Sequence, residues 1–543
     1  MVFLDRDITF TVEDEAEARS YAEADPQFTV IEQTAFGEWQ VTRKSGAQVR
    51  VPRRATLNRR IGGLFPTDFD PARWGIPASM LDSIDPIAVW NLVSAVDAFV
   101  SAGFSPAELL RVVHPATVAS TQGTGFGGMR SMHKLFVDRF LGEDYPQDIL
   151  QETLPNVVAA HTMQSYVGGY GSMINPVGAC ATAAVSIEEG LDKIKAGKAD
   201  FVVAGAIDDI QVESIVGFGA MNATANSNEL LARGISPRFV SRANDRRRGG
   251  FVEAQGGGTV LLTRASVALD MNLPVLAVVA HAQTFSDGAH TSIPAPGLGA
   301  LAVARGGRDS VIARNLAELG VGIDDVAFVS KHDTSTNAND PNESDLHTRV
   351  GTALGRTPGN PLLVISQKTL TGHAKGGACV FQVGGIIDVF RTGLIPANVA
   401  LDCVDDAMEK YSPLVWLRSP LNLSSRGPVR AAFATSLGFG HVSGFLALVN
   451  PAAFEAIVER EAGRERLEAW RAASDRRLRN GQRHIEMGML GHAPLFTSVE
   501  GRRLPDDPAA GVAGDAHEVE AAILLDPNAR LGEDGFYHLP EGK

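Results

Sequence analysis

An α/β architecture, with helices on both faces of its sheets, is what the sequence predicts for most of this chain. Apolar, β-branched runs recur between residues 85 and 450: "ADFVVAGAID", "GGTVLLTR", "PVLAVVAHA", "DDVAFVSKHD", "PLLVISQKT" and "VRAAFATSLGFG". Each has the length of a strand and the composition of one buried on both faces. Helical stretches at 182–196, 306–319 and 374–391 lie between several of them, the alternation from which layered α/β domains are built. A third observation concerns "NPVGACATAAVSIEEGLDKI" and "TLTGHAKGGACVFQVGGIIDVF". Each runs from a turn into a helix of small residues, which suits two half-domains meeting at a pseudo-twofold axis.

Four segments follow from this texture. Residues 1–84 form a β-rich extension, in which "FTVIEQ", "GEWQVTRKSG" and "AQVRVP" alternate before the Pro/Gly-containing "GGLFPTDFDPARWGIP". Residues 85–270 make one half of the core and 271–450 the other. In 451–543, "AFEAIVEREAGRERLEAWRAASDRRLRN" is a charged helix with a solvated or partner-packed face, and a loosely structured Pro/Gly/Asp-rich tail follows.

Composition narrows the function classes. The chain has 543 residues, 44% hydrophobic and 21% charged, with a net charge of −14. An acidic surface argues against a dedicated nucleic-acid binder. Three cysteines, at 180, 379 and 403, make neither a disulfide framework nor a CxxC metal pair. "MVFLDRDITF" lacks the features of a secretion signal, and no apolar run reaches the ~20 residues of a membrane helix. A cytoplasmic protein without membrane insertion is expected.

Cys180 sits where "VGAC" turns into a helix. A helix N-terminus favours the thiolate, and Ala179, Ala181 and Ala183 leave room for an acyl group. On that stretch alone a buried, inert cysteine, the usual state of a free thiol, fits better. His332 follows the strand "VAFVS" and His373 follows "LLVIS", both at strand ends, where α/β sheets place their sites. Thr334, Ser335, Thr336, Asn337 and Asn339 can stiffen the first loop, with Asp340 and Glu343 pairing with cations. Gly372 permits close backbone approach in the second, and Lys368 adds a charge. The glycine-rich "TSLGFGHVSG" supplies N–H groups for an oxyanion hole.

These motifs, in this order, resemble the β-ketoacyl synthases: the cysteine in "GACATAA", the histidine in "HDTSTNANDPNE", lysine and histidine in "SQKTLTGHAKGGA", and "SLGFGHVSG". "GTGFGG", "RANDRRRGGFVEAQGGGTVLL" and "SDGAHTSIPAPG" fit as well. The variants are most similar to the ketosynthase domain of the type I fatty acid synthases of fungi and actinobacteria. The resemblance implies a thiolase-like fold of two pseudo-duplicated halves in five α-β-α-β-α layers, usually dimeric. It implies an acyltransferase of the 3-oxoacyl-[acyl-carrier-protein] synthase type, performing a decarboxylative Claisen condensation. Cys180 would carry the acyl chain, with the N–H groups of Cys180 and Phe439 as oxyanion hole. His332 and His373 would stabilise the enolate of malonyl-carrier, and Lys368 would anchor the His373 loop. Phe439, Gly438, Gly440, Thr334, Thr336 and Met221 would bind or gate substrate. No metal or other cofactor is implied; substrates arrive on the phosphopantetheine of a separate acyl carrier protein, and the chain would be a homodimer or part of a larger synthase assembly. Three positions depart from the common pattern: Asp333 and Ser335 stand where many relatives have glycine, and Gln382 where discrete elongating synthases often have glutamate.

Other readings stay open on sequence alone. A thiolase or an acyl-CoA-priming synthase needs a second cysteine or a Cys-His-Asn set. A polyketide-type ketosynthase would share the motifs. A non-catalytic chain-length or scaffold subunit loses the nucleophile. "RRRGG" at 246–250 fits a structural turn or a dock for an acidic carrier. His281 and His290 belong to no coherent ligand set; His290 borders the pocket or packs. Cys379 and Cys403 are core or incidental residues.

Overall fold

The alternating N-terminal segment folds as a three-stranded antiparallel sheet. β1 (Ile8–Val12) and β2 (Thr29–Gln33) flank β3 (Trp39–Arg43). Between β1 and β2 lies α1 (Glu15–Ala24), capped by the Asp14 carboxylate, which accepts the Glu17 N–H at 2.8 Å. Val12, Ala18 and Val41 form its core. The computed structural model describes residues 2–49, 57–138, 145–288, 298–499, 521, 523–535 and 537–538. Two units emerge, Met1–Asn58 and Arg59–Lys543, so the stretch 59–84 groups with the second unit rather than with the extension.

The second unit contains the layered core. Its first sheet has β4 (Val118–Ser120), β5 (Phe201–Asp208) and β6 (Gly256–Thr263), with β5 central. The second sheet comprises β7 (Val278–Ser286), β8 (Val326–Ser330), β9 (Leu362–Ile365), β10 (Leu414–Trp416), β11 (Ala431–Gly438) and β12 (Val442–Val449), in the order β10-β9-β8-β11-β12-β7. β10, β9, β8 and β11 are parallel; β12 and β7 run antiparallel to their neighbours.

Side-chain alternation sets the layers. Phe201 and Val203 of β5 pack outward with α2 (Pro86–Ser101), whereas Val202, Ala204 and Ala206 face a middle layer of α3 (Thr182–Lys195) and α6 (Ala378–Thr392). From the other side Ala432 and Ala434 of β11 face the same middle layer, and Ala431 and Phe433 pack outward with α4 (Val311–Glu318) and α5 (Asn339–Ala353). The result is the five-layered α-β-α-β-α thiolase-like fold. The paired motifs are visible in the backbone. α3 and α6 each follow a tight turn, Ala179–Ala181 and Lys375–Gly377, and each turn opens on a residue of positive φ, Ala179 (47°) and Lys375 (48°).

Helix α7 (Arg464–Met489) is more than a solvated face. Leu467 and Trp470 are buried, and Trp470 Nε1–H donates to the Leu273 carbonyl at 3.1 Å. Gly481 lets the helix approach α2, since a Cβ there would lie 2.2 Å from the Val100 oxygen. Leu495, Phe496, Ile523, Leu531 and Tyr537 join the α2 core, so part of the expected loose tail is anchored. Its segment 500–520 lies outside the described residues, as does His290. Among the described residues, no helix is long and apolar enough to cross a membrane.

Candidate active site

Three loops leave the C-terminal ends of parallel strands and meet the turn that opens α3. Cys180 lies in that turn, where Thr182 Oγ1 donates to the Ala179 carbonyl at 2.7 Å and accepts the Gly178 N–H at 3.0 Å. Ser436 of β11 donates its hydroxyl to the Cys180 carbonyl at 2.8 Å. His332 follows β8, His373 follows the turn Lys368–Thr371 after β9, and Phe439 follows β11. His373 Nε2 is 3.1 Å from Cys180 Sγ. The two imidazole rings stand perpendicular, 5.2 Å between centroids.

His332 is held on several sides. The Glu343 carboxylate accepts the backbone N–H groups of His332 and Asp333. Glu343 therefore serves backbone donors, with the Lys331 cation favouring its charge, and Asp340 lies 3.5 Å from Arg248. Lys368 Nζ donates to the His332 carbonyl and lies 3.1 Å from its Nδ1. The expected anchoring of the His373 loop by Lys368 is thus corrected: the ammonium reaches the other histidine. With Nδ1 facing an N–H donor, the ring proton of neutral His332 belongs on Nε2.

Burial governs the titration of all three groups. It pushes the Cys180 thiol up to about 11, against the lowering influence of Lys368 and the Phe439 backbone N–H. The thiolate preference expected from the helix N-terminus is overruled by desolvation. Burial, then the Lys368 cation, hold His332 and His373 well below the ordinary histidine value, so both are neutral near pH 7.

A cavity of about 320 Å³ opens on these groups. Of the residues expected from sequence, Cys180, His332, His373, Thr334, Thr336, Met221, Gly438 and Phe439 line it; Lys368 lies behind His332, and Gly440 is not in the lining. Phe251 and Asp287 line it unexpectedly. Phe251 packs edge-on against His373, ring centroids 5.0 Å apart, and Phe218 bridges Phe251 and Phe439 at 5.3 and 5.9 Å. The signal for Phe251 was its place after two glycines in "RRRGGFVEAQGGG"; Phe218, in the helix Val212–Ala220, carried none.

Cys180 Sγ and one nitrogen of each histidine lie within 4.8 Å of one another, a spacing that one metal ion could span. Lys368 against Nδ1 leaves Nε2 of His332 protonated, which suits a hydrogen-bond donor better than a metal ligand. A thiol, two neutral imidazoles and backbone N–H groups converging on one cavity can hold an acyl thioester and stabilise an oxyanion beside it.

The β-ketoacyl synthase N-terminal domain matches residues 29–268 and the C-terminal domain matches residues 276–402. The chain is 36% identical to the fatty acid synthase alpha subunit stcJ of Emericella nidulans over 90% of its own length and 30% of that protein's. It is 34% identical to fatty acid synthase 2 of Mycosarcoma maydis, over 92% of this chain and 13% of that one. The fatty acid synthase subunit alpha of Saccharomyces cerevisiae is 30% identical over 93% and 30%. The chain therefore spans less than a third of the length of these curated relatives. In fold it is similar to the noncanonical ketosynthase FabY from P. aeruginosa, with a TM-score of 0.76 over 90% of this chain and 75% of that one, at 22% identity.

Proposed function

Since the chain belongs to the β-ketoacyl synthase family, we propose that it condenses an acyl chain on Cys180 with a malonyl thioester, releasing CO2. The observation that carries this reading is the 3.1 Å approach of His373 Nε2 to Cys180 Sγ with His332 beside it in one cavity. In the first half-reaction Cys180 Sγ attacks the incoming thioester. Its proton leaves on the departing thiol, and the N–H groups of Cys180 and Phe439 hold the oxyanion. In the second, malonyl carboxylate leaves as CO2 and its electron pair forms an enolate. Nε2–H of His332 and of His373 donate to the enolate oxygen, each worth about 10²–10³ in rate. The carbanion attacks the Cys180 thioester, the thiolate departs, and one proton from solvent restores the thiol.

The carrier of both thioesters is a separate acyl carrier protein, and the pathway is fatty acid synthesis, as in the relatives' names. The chemistry calls on neither a metal nor a redox cofactor. A cytoplasmic enzyme acting as a dimer, or within a larger assembly, fits the family. Tyr170, Met173, Ile174 and Val177 are exposed on the segment that bridges β4 at Ser120, the edge of the first sheet. An exposed apolar edge of this kind calls for a cover, and a second copy of the chain would supply one. The Cys180 thiol favours an enzyme over a scaffold subunit.

Incubating the chain with acyl- and malonyl-carrier should yield a β-ketoacyl product two carbons longer by mass spectrometry. Cys180→Ala should abolish it. Full condensation by that variant would refute the assignment.

A further inference from the structure

Two residues flank His332, and both are charged and buried. Lys331 Nζ lies 2.7 Å from Asp333 Oδ1, with both side chains fully excluded from solvent. The ion pair therefore closes around the backbone of the histidine between them. Asp333 has φ +40° and Ser335 φ +64°, the left-handed region that non-glycine residues keep only when their surroundings fix them.

Those surroundings come from three directions. Asp333 Oδ2 accepts from Asn244 Nδ2 at 2.8 Å and from Ser366 Oγ, at the end of β9, at 2.5 Å. Lys331 Nζ donates to Asn244 Oδ1 at 3.1 Å and to Ser344 Oγ of α5 at 2.9 Å. Ser335 Oγ accepts the Arg242 N–H at 3.1 Å, and its carbonyl accepts the Gly250 N–H at 2.9 Å. The loop carrying His332, Thr334 and Thr336 is thus tied to the segment 242–250, whose Gly249 and Gly250 line the same cavity.

A glycine at 333 would adopt this backbone more easily, and a buried ion pair is weak evidence for stability. The pair is better understood as a device for position. We propose that Asp333, paired with Lys331, is a positioning residue that fixes His332 for enolate stabilisation, an inference that rests on the condensing reaction proposed above. It acts through His332, so it bears on malonyl decarboxylation and not on acyl transfer to Cys180.

The test uses the full chain with Asp333→Gly and Asp333→Asn. Acylation of Cys180 from an acyl-pantetheine thioester is followed by intact mass, and CO2 release from malonyl-pantetheine by initial rate. In Asp333→Gly, kcat for decarboxylation should fall about 10²-fold, as for a reacting group misplaced by about 1 Å. KM and the acylation rate should stay at wild-type values. Asp333→Asn, which keeps a polar group at the site without the charge, should fall between, and it carries the comparison if the glycine variant does not fold. Decarboxylation at the wild-type rate in both variants would overturn the proposal, as would an equal fall in both half-reactions. A wild-type chain that performs neither half-reaction would remove the condensing function, and this inference with it.

Discussion

Gly438 stands where the phenylalanine loop passes the nucleophile, and replacing it with alanine isolates the oxyanion hole. A Cβ at 438 would lie 2.4 Å from the Gly178 carbonyl oxygen, 3.2 Å from Ala181 N and 3.3 Å from Cys180 N. The first distance is a full ångström short of the 3.4 Å at which ordinary contact begins. All three atoms are backbone of the Cys180 turn, so no flexible side chain can absorb the clash. Either that turn or the Phe439 loop must move by about 1 Å, and the N–H groups of Cys180 and Phe439 separate from the position the oxyanion would occupy. A displacement of that size costs about 10²-fold, equivalent to about 2.7 kcal/mol of transition-state stabilisation. Gly440→Ala is the control: its φ of +81° makes alanine strained, but nothing lies within 4 Å of the added Cβ. Single-turnover acylation of Cys180, read by mass, should therefore be about 10²-fold slower in Gly438→Ala and much less affected in Gly440→Ala. Wild-type acylation by the first variant, or equal losses in both, would refute the reasoning.

Further tests address the other groups. His332→Ala and His373→Ala should each lower malonyl decarboxylation about 10²–10³-fold while Cys180 still accepts an acyl chain, as mass spectrometry would report. Because burial and Lys368 hold both histidines well below 6.5, neither takes up a proton as the pH falls from 8 to 6.5. Their ring resonances should not shift across that range in NMR, and an imidazole titrating near 6.5 would contradict the assignment. With the thiol at about 11, the thiolate fraction at pH 7 is about 10⁻⁴; iodoacetamide labelling of ligand-free Cys180 should accelerate about tenfold per pH unit between 7 and 10, and a plateau below pH 9 would refute this. Trp470→Ala removes a buried indole and its bond to Leu273, which should cost about 3–5 kcal/mol in denaturant unfolding.

How much of this was legible in the sequence depended on whether the signal was local. Strands β5, β8, β9 and β11 were visible because runs such as "FVVAGAI" are apolar over most of the strand, as burial on both faces requires. Cys180 and His373 were legible because each stands in an unusual turn of small residues, and His332 because a run of hydroxyl and amide side chains follows it at a strand end. What connects them was not. The reach of Lys368 to His332 rather than along its own loop depends on β9 lying beside β8 in parallel register, which no local pattern encodes. The burial of α7 was hidden for a related reason: its apolar contacts are few, Leu467 and Trp470 among many arginines, and its close approach to α2 rests on glycines whose purpose is invisible until α2 is opposite. The thiolate expectation failed because helix position is local whereas desolvation is set by the whole fold.

That failure bears on how the site works. Desolvation raises the cysteine and lowers the histidines, so moving the thiol proton to His373 in the empty pocket is strongly uphill, and a resting thiolate–imidazolium pair is disfavoured. The proton must then leave sulfur as the carbon–sulfur bond forms, toward a departing thiol that substrate itself brings. Neutral imidazoles are what the second half-reaction needs, because a neutral Nε2–H can donate to an enolate oxygen without having to lose a proton first. Lys368 serves both halves from one position: it fixes the His332 proton on Nε2 by facing Nδ1, and its charge favours the anions that form at sulfur and at the enolate. Lys368→Met should therefore slow both half-reactions, unlike either histidine variant, which should slow one. A variant at 368 that decarboxylates slowly but acylates Cys180 at the wild-type rate would limit the lysine to holding His332.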